Sequence, residues 1–297
     1  MLNKSWNENI ENIRSKNVKE VSKSQIFEAL RRSVVKKVPS EKFGVLLSGG
    51  VDSSVIAKIC KDERLDFRCF CVGIKGCSDI KYAKEVASIL DLELVSKEFK
   101  LNDIEKQLIR VIRILPKPAI VDDNYIEYMV KLSVSAVMLS SIELGDEKHY
   151  LSGIGAEELF AGYHRHKKAL EGGGKWREIE IKDIEEESWD GLQRFYDLVI
   201  VRDELISESV RKKIINPYID DKLIALSMNL PINKKIDSSV NKKILREIAS
   251  DIGVPKVSFE REKKGAQYGS GFDKAITKLS KQNGFKLKKR YIDSLLG

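Results

Sequence analysis

The chain has 297 residues, 42% hydrophobic and 33% charged, enough apolar material for one large domain or two modest ones and too much for a wholly disordered chain. No apolar run reaches the ~20 residues of a bilayer span, and the opening MLNKSWNENIENIRSKN has no apolar export core, so no membrane association is expected and a cytoplasmic location is. Lys plus Arg number 53 against 45 Asp plus Glu, a net charge of +8 that permits phosphate-bearing ligands or RNA without requiring them.

Ile26, Phe27, Leu30, Val34 and Val35 recur at helical spacing, with Ser24 as the expected N-cap and Pro39 as the stop. FGVLLS at 43–48 predicts a strand; Gly49 and Gly50 follow, and VDSSVIAKICK predicts a helix. A second strand is predicted over 66–73, a helix opening near Ser78, and a third strand over 92–99. IEKQLIRVIRIL reads as a helix stopped by Pro116 and Pro118, and residues 125–144 as a long apolar one. HYLSGIG at 149–155 predicts a further strand entering a glycine turn. Strands alternating with helices imply a Rossmann-like α/β fold, a parallel sheet with helices on both faces.

After Gly162 the pattern turns helical, with candidate helices over 189–206, 218–229 and 239–252. Gly172, Gly173 and Gly174 read as a flexible break. The expected division is a helical segment over 1–40, an α/β domain over 41–170 and a mostly helical part over 171–297. His164 and His166 are expected in an exposed basic loop. Cys60, Cys69, Cys71 and Cys77 fall close together, but their spacing matches no strong zinc pattern; core packing is favoured over a metal site, with Cys69 and Cys71 on one face of a strand.

The sharpest motif is LLSGGVDSSV at 46–55. Two glycines between a strand and a helix turn the backbone so that several N–H groups point inward. The helix N-terminus adds further N–H groups and the positive end of its dipole, a cradle for phosphate. Ser48 and Ser53 can add hydroxyls. Asp52 would repel a bare phosphate and makes sense as a ligand for Mg²⁺ carried by the nucleotide. There is no Walker lysine; S-G-G-x-D-S instead resembles the PP-loop of ATP pyrophosphatases, of the adenine nucleotide alpha hydrolase-like fold, which cleave ATP to AMP and pyrophosphate.

Later segments, in order, resemble the synthetase domain of glutamine-hydrolysing asparagine synthetases over roughly 40–272. They are VGIKGCSDIKYAKEVA, LSGIGAEELFAGYHR, INPYIDDKLIALSMNLP, KKILREIA and REKKGAQYGSG. The aspartate pair Asp122 and Asp123 and the ending Gln267 to Ser270 are similar to a stand-alone or divergent branch of that family. The resemblance implies that Leu47, Val72 and Gly73 contact adenine and ribose. It implies that Ser48, Gly49, Gly50, Asp52 and Ser53 hold pyrophosphate and Mg²⁺, with Ser152 and Gly153 beside the α-phosphate. Glu157 stands where the family has Asp and would share Mg²⁺ with Asp52. Lys263 would be the catalytic lysine, with Glu158, Asp122 and Asp123 as second-rank site candidates.

Two departures matter. The first cysteine is Cys60, so the amidotransferase half with its N-terminal cysteine is expected to be missing, and ammonia, another amine or a separate glutaminase subunit would supply nitrogen. Ile154 replaces the glutamate of the family's S-G-E-G and can accept no proton, which leaves the acceptor open. The favoured expectation is an ATP- and Mg²⁺-dependent ligase amidating a small carboxylate, aspartate or a related acid, through an acyl-adenylate. A PP-loop tRNA-modifying enzyme is the alternative the basic charge supports, though RNA is the less favoured partner; a non-catalytic nucleotide-binding protein is the third reading.

Overall fold

The computed structural model describes residues 2–16, 18–116, 125–176, 179–181, 183–261 and 264–295. The first three strands are β1 (Phe43–Leu46), β2 (Phe67–Ile74) and β3 (Leu94–Phe99). Next come β4 (His149–Leu151), β5 (Gly174–Trp176), β6 (Ile179–Ile181) and β7 (Lys213–Ile215). Five of them form one parallel sheet in the order β3-β2-β1-β4-β7, with Val45 opposite both Cys69 and Leu151. β5 and β6 pair antiparallel, so the expected glycine break leads into a hairpin at Gly174.

Side-chain alternation along the strands builds two cores, one on each sheet face. Val45, Leu47, Cys69, Cys71 and Leu151 pack with the helices Lys23–Lys37, Val51–Asp62 and Lys243–Asp251. Phe70, Val72 and Tyr150 pack with Leu101–Ile114, Tyr125–Ile142 and Phe272–Gln282. This is the expected doubly covered parallel sheet. The chain beyond 170 supplies β7 to the sheet and helices to both cores.

Several boundaries differ from expectation for local reasons. The helix Lys23–Lys37 is capped by Ser22 and not Ser24, because Ser22 and Gln25 satisfy each other's backbone N–H in a capping box. The helix predicted over 189–206 begins at Ile184, where Asp183 caps Glu185 and Glu186, and passes through a π-turn at Tyr196–Ile200. His164 and His166 sit on a helix, His164–Leu170, and not in an open loop. Two residues of helix turn the chain by ~200°, so His164 is exposed while His166 is buried, its Nδ1 accepting from the Tyr163 N–H at 3.3 Å. The four cysteines are free and buried, and burial pushes the Cys69 thiol up to about 12. Among the described residues, no helix is long and apolar enough to cross a membrane.

Lys235, closing the short helix Ile232–Lys235, is only 1% exposed, and burial pulls its amine down to about 8 against the attraction of Glu185. The unfolded chain keeps that proton up to about pH 10.5, so stability rises with pH between about 8 and 10.5. Lys235→Met should therefore gain about 3 kcal/mol at pH 7, and urea unfolding should show most of that gain gone by about pH 10.

Candidate active site

Strand order sets the position of the site. From β1 the chain moves out to β2 and β3, then returns to β4 on the other side of β1. The strand order reverses between β1 and β4, and in such sheets ligands bind at the carboxyl ends of the strands where the order reverses. The segments leaving those two ends are Leu47–Ser53 and Ser152–Glu157.

The first segment holds its own shape. Leu47 still donates to the Phe70 carbonyl at 2.9 Å, after which the chain turns. The Ser48 N–H donates to Ser53 Oγ at 3.2 Å, the Gly50 N–H to Ser48 Oγ at 3.3 Å, and Ser53 Oγ to the Gly50 carbonyl at 3.2 Å. Gly49 has φ +75°, and a Cβ there would lie 2.5 Å from the Tyr82 backbone carbon. Both facts require glycine. The helix Val51–Asp62 begins at once, with Asp52 in its first turn.

The second segment lies against the first: a Cβ on Gly153 would be 3.0 Å from Asp52 Cβ and 3.1 Å from Ser53 N. Ser152 is buried, its N–H bonded to the Ile215 carbonyl at 2.9 Å. Glu157 stands in the first turn of the helix Ala156–Leu159. Tyr218, fully buried just beyond β7, donates its hydroxyl to the Asp52 carbonyl at 3.0 Å.

Lys242 joins the two segments. Its Nζ lies 2.7 and 2.6 Å from the Asp52 carboxylate oxygens and 2.7 Å from Glu157 Oε1, with the lysine side chain 1% exposed. Burial alone would pull this amine down; the two carboxylates overcome that and hold it above the ordinary lysine value. Lys242 has φ +55°, a conformation that costs a residue with a Cβ roughly 1–2 kcal/mol and is held by the ion pairs at its tip. One turn along, Arg246 adds a second cation, with its Nε on the Asn241 carbonyl at 2.7 Å.

The structure thus brings together Ser48, Gly49, Gly50, Asp52, Ser53, Ser152, Gly153 and Glu157. Leu47, just beyond β1, and Val72, in β2, are buried, and Gly73 lies against Cys77 and the Ser270 carbonyl. Glu158 is engaged elsewhere: it is buried, burial raises its carboxyl, and it accepts from the Tyr163 hydroxyl at 2.6 Å. Asp122, Asp123 and Lys263 lie outside the described residues. Sequence reasoning missed Lys242, although KKILREIA contains it, because nothing local distinguishes it from Lys243. It also missed Tyr218 and the buried pair of Arg261 with Asp79, 3.0 Å apart.

Asp52 and Glu157 converge on the Lys242 ammonium, and their hard carboxylate oxygens suit Mg²⁺ bound beside it. No group of three or more His, Cys, Asp or Glu is placed to hold a metal among the described residues. That fits Mg²⁺ all the same, because it commonly takes one or two carboxylates and completes its shell with phosphate oxygens and water.

The asparagine synthase family model matches residues 25–196 and 180–283. A Methanocaldococcus jannaschii protein, whose name places it among glutamine-hydrolysing asparagine synthetases, is 29% identical over 314 residues, covering 93% of this chain and 55% of its own. Asparagine synthetase (glutamine-hydrolysing) 2 of Lotus japonicus is 25% identical over 270 residues, covering 82% of this chain and 42% of its own. The chain spans about half the length of the curated relatives it matches. Among solved structures, NMN synthetase from Francisella tularensis superposes with a TM-score of 0.43 at 12% identity, covering 93% of each chain. With a family model spanning nearly the whole sequence, the chain belongs to the asparagine synthase family.

Proposed function

We propose that this protein is an ATP-dependent carbon–nitrogen ligase that activates a small carboxylate as an acyl-adenylate and passes the acyl group to ammonia or another amine. The observation that carries this reading is the pairing of Asp52 and Glu157 through Lys242 beside a Ser-Gly-Gly phosphate turn. Bound there through both carboxylates, Mg²⁺ would neutralise charge on the outer phosphates.

The backbone N–H groups at the start of the helix Val51–Asp62, with Ser48 and Ser53, would grip the two outer phosphates. Lys242 would share its charge between the two carboxylates and the departing pyrophosphate. A carboxylate oxygen of the acid attacks the α-phosphorus, and the bond from that phosphorus to the bridging oxygen breaks. The amine then attacks the acyl carbon, and AMP leaves with one oxygen from the acid. Lys263 is assigned, from the family resemblance, to offset negative charge on the α-phosphate in both steps. The amine's proton goes to a group other than residue 154, because Ile154 has no basic atom.

Aspartate or a related acid is the proposed acceptor, and a separate glutaminase subunit is one source of ammonia. The test is pyrophosphate release from Mg-ATP and ammonium with aspartate, other small carboxylic acids, or bulk tRNA. Acid-dependent release supports the ligase; release that needs tRNA and no acid supports a tRNA-modifying enzyme instead. No release in any mixture, with ATP still bound, would leave a nucleotide-binding protein without this chemistry.

A further inference from the structure

Asp79 plays no part in the steps above. It is 4% exposed, in the first turn of the helix Ser78–Ile89. A buried carboxylate needs partners, and Asp79 has two neighbours that lie close in sequence to one another. Arg261 Nη2 is 3.0 Å from its Oδ1. Gly269 packs against the same carboxylate so closely that a Cβ there would sit 2.5 Å from Asp79 Cγ. The adjacent Ser78 Oγ donates to the Gly269 carbonyl at 3.2 Å, and the Ile74 N–H to the Ser270 carbonyl at 2.9 Å.

Arg261 does more than pair with Asp79. Its Nη1 donates to the Ser48 carbonyl at 3.1 Å, and its guanidinium lies 4.6 Å from the ring centroid of Tyr82. Tyr82 is the residue whose backbone touches Gly49. The 6% exposed Arg261 side chain therefore ties the glycine turn to the helix Ser78–Ile89 through an anchor that Asp79 fixes. The planar fork fixes the directions of its donors toward a carbonyl and a carboxylate, which a lysine ammonium on a flexible stem does not.

We propose that Asp79 is a positioning residue for the nucleotide site, clamping Arg261 and Gly269 together against the glycine turn so that the turn, Arg261 and residues 264–271 are held as one unit. This rests on reading the turn as the nucleotide site, but the clamp can be tested without nucleotide.

The experiment is hydrogen exchange by mass spectrometry on the full chain carrying Asp79→Asn, Asp79→Ala or Arg261→Lys, each with and without Mg-ATP. Without nucleotide, exchange should rise at least about tenfold at residues 48–50 and 264–271 and stay unchanged in the helix Leu101–Ile114, in the other core. Asparagine keeps an acceptor for Arg261, so Asp79→Ala should exceed Asp79→Asn. The affinity for Mg-ATP should fall about tenfold in Asp79→Ala and less in Asp79→Asn. A uniform rise across the chain would make Asp79 merely structural and overturn the proposal, as would no change in Asp79→Ala. If exchange rises locally but Mg-ATP protects residues 48–50 in no form of the protein, wild type included, the clamp stands and the nucleotide reading fails.

Discussion

Replacing Lys242 by methionine should cost the fold about 3–5 kcal/mol, because two carboxylates would then face one another without the cation between them. The side chain is 1% exposed, so water cannot take its place without the segments moving apart. Urea unfolding should show the loss at pH 7. Mg²⁺ at millimolar concentration should restore much of it, since a divalent cation can occupy the point on which Asp52 and Glu157 converge. Pyrophosphate release should fall by about 10²–10³-fold even in the Mg²⁺-stabilised variant. A variant as stable as the wild type would show that the ion pairs at 2.6–2.7 Å contribute nothing net.

Asp52→Asn separates chemistry from folding. Lys242 would keep Glu157 at 2.7 Å and lose a carboxylate that accepts through both oxygens. The loss of those charge-assisted bonds should lower stability by about 1.5–3 kcal/mol, leaving a folded chain. Pyrophosphate release should drop on the order of 10³-fold. The more telling readout is binding: wild-type affinity for ATP should rise with Mg²⁺, and that of Asp52→Asn should not. A purely structural role for Asp52 would lower the melting temperature and leave the Mg²⁺ dependence intact.

The glycine turn was legible in the sequence because its chemistry is local. S-G-G-x-D-S follows an apolar strand and opens a helix, and every group it needs lies within a few residues. The sheet was legible for a similar reason: buried parallel strands read as short apolar runs between helical patterns. β7 escaped because Lys213–Ile215 is three residues long and lies between helices, with no alternation to mark it.

Lys242, Tyr218 and the pair of Asp79 with Arg261 escaped for a different reason. Each acts across more than 160 residues of sequence, 190 for Lys242 with Asp52 and 182 for Arg261 with Asp79. A lysine among lysines carries no local sign that it will be buried; only the approach of two segments on a sheet edge decides it. His166 shows the converse. The basic stretch GYHRH read as an exposed loop, and the helix His164–Leu170 exposes His164 while burying His166.

The most direct measurement follows oxygen. The acid that supports turnover is labelled with oxygen-18 in its carboxylate and incubated with Mg-ATP, ammonium and the protein, and the phosphorus products are analysed by mass spectrometry and ³¹P NMR. Attack by the acid on the innermost phosphorus predicts AMP carrying one labelled oxygen, with unlabelled pyrophosphate in equal amount. ADP together with labelled orthophosphate would contradict it, because the acid would then have attacked the outermost phosphorus.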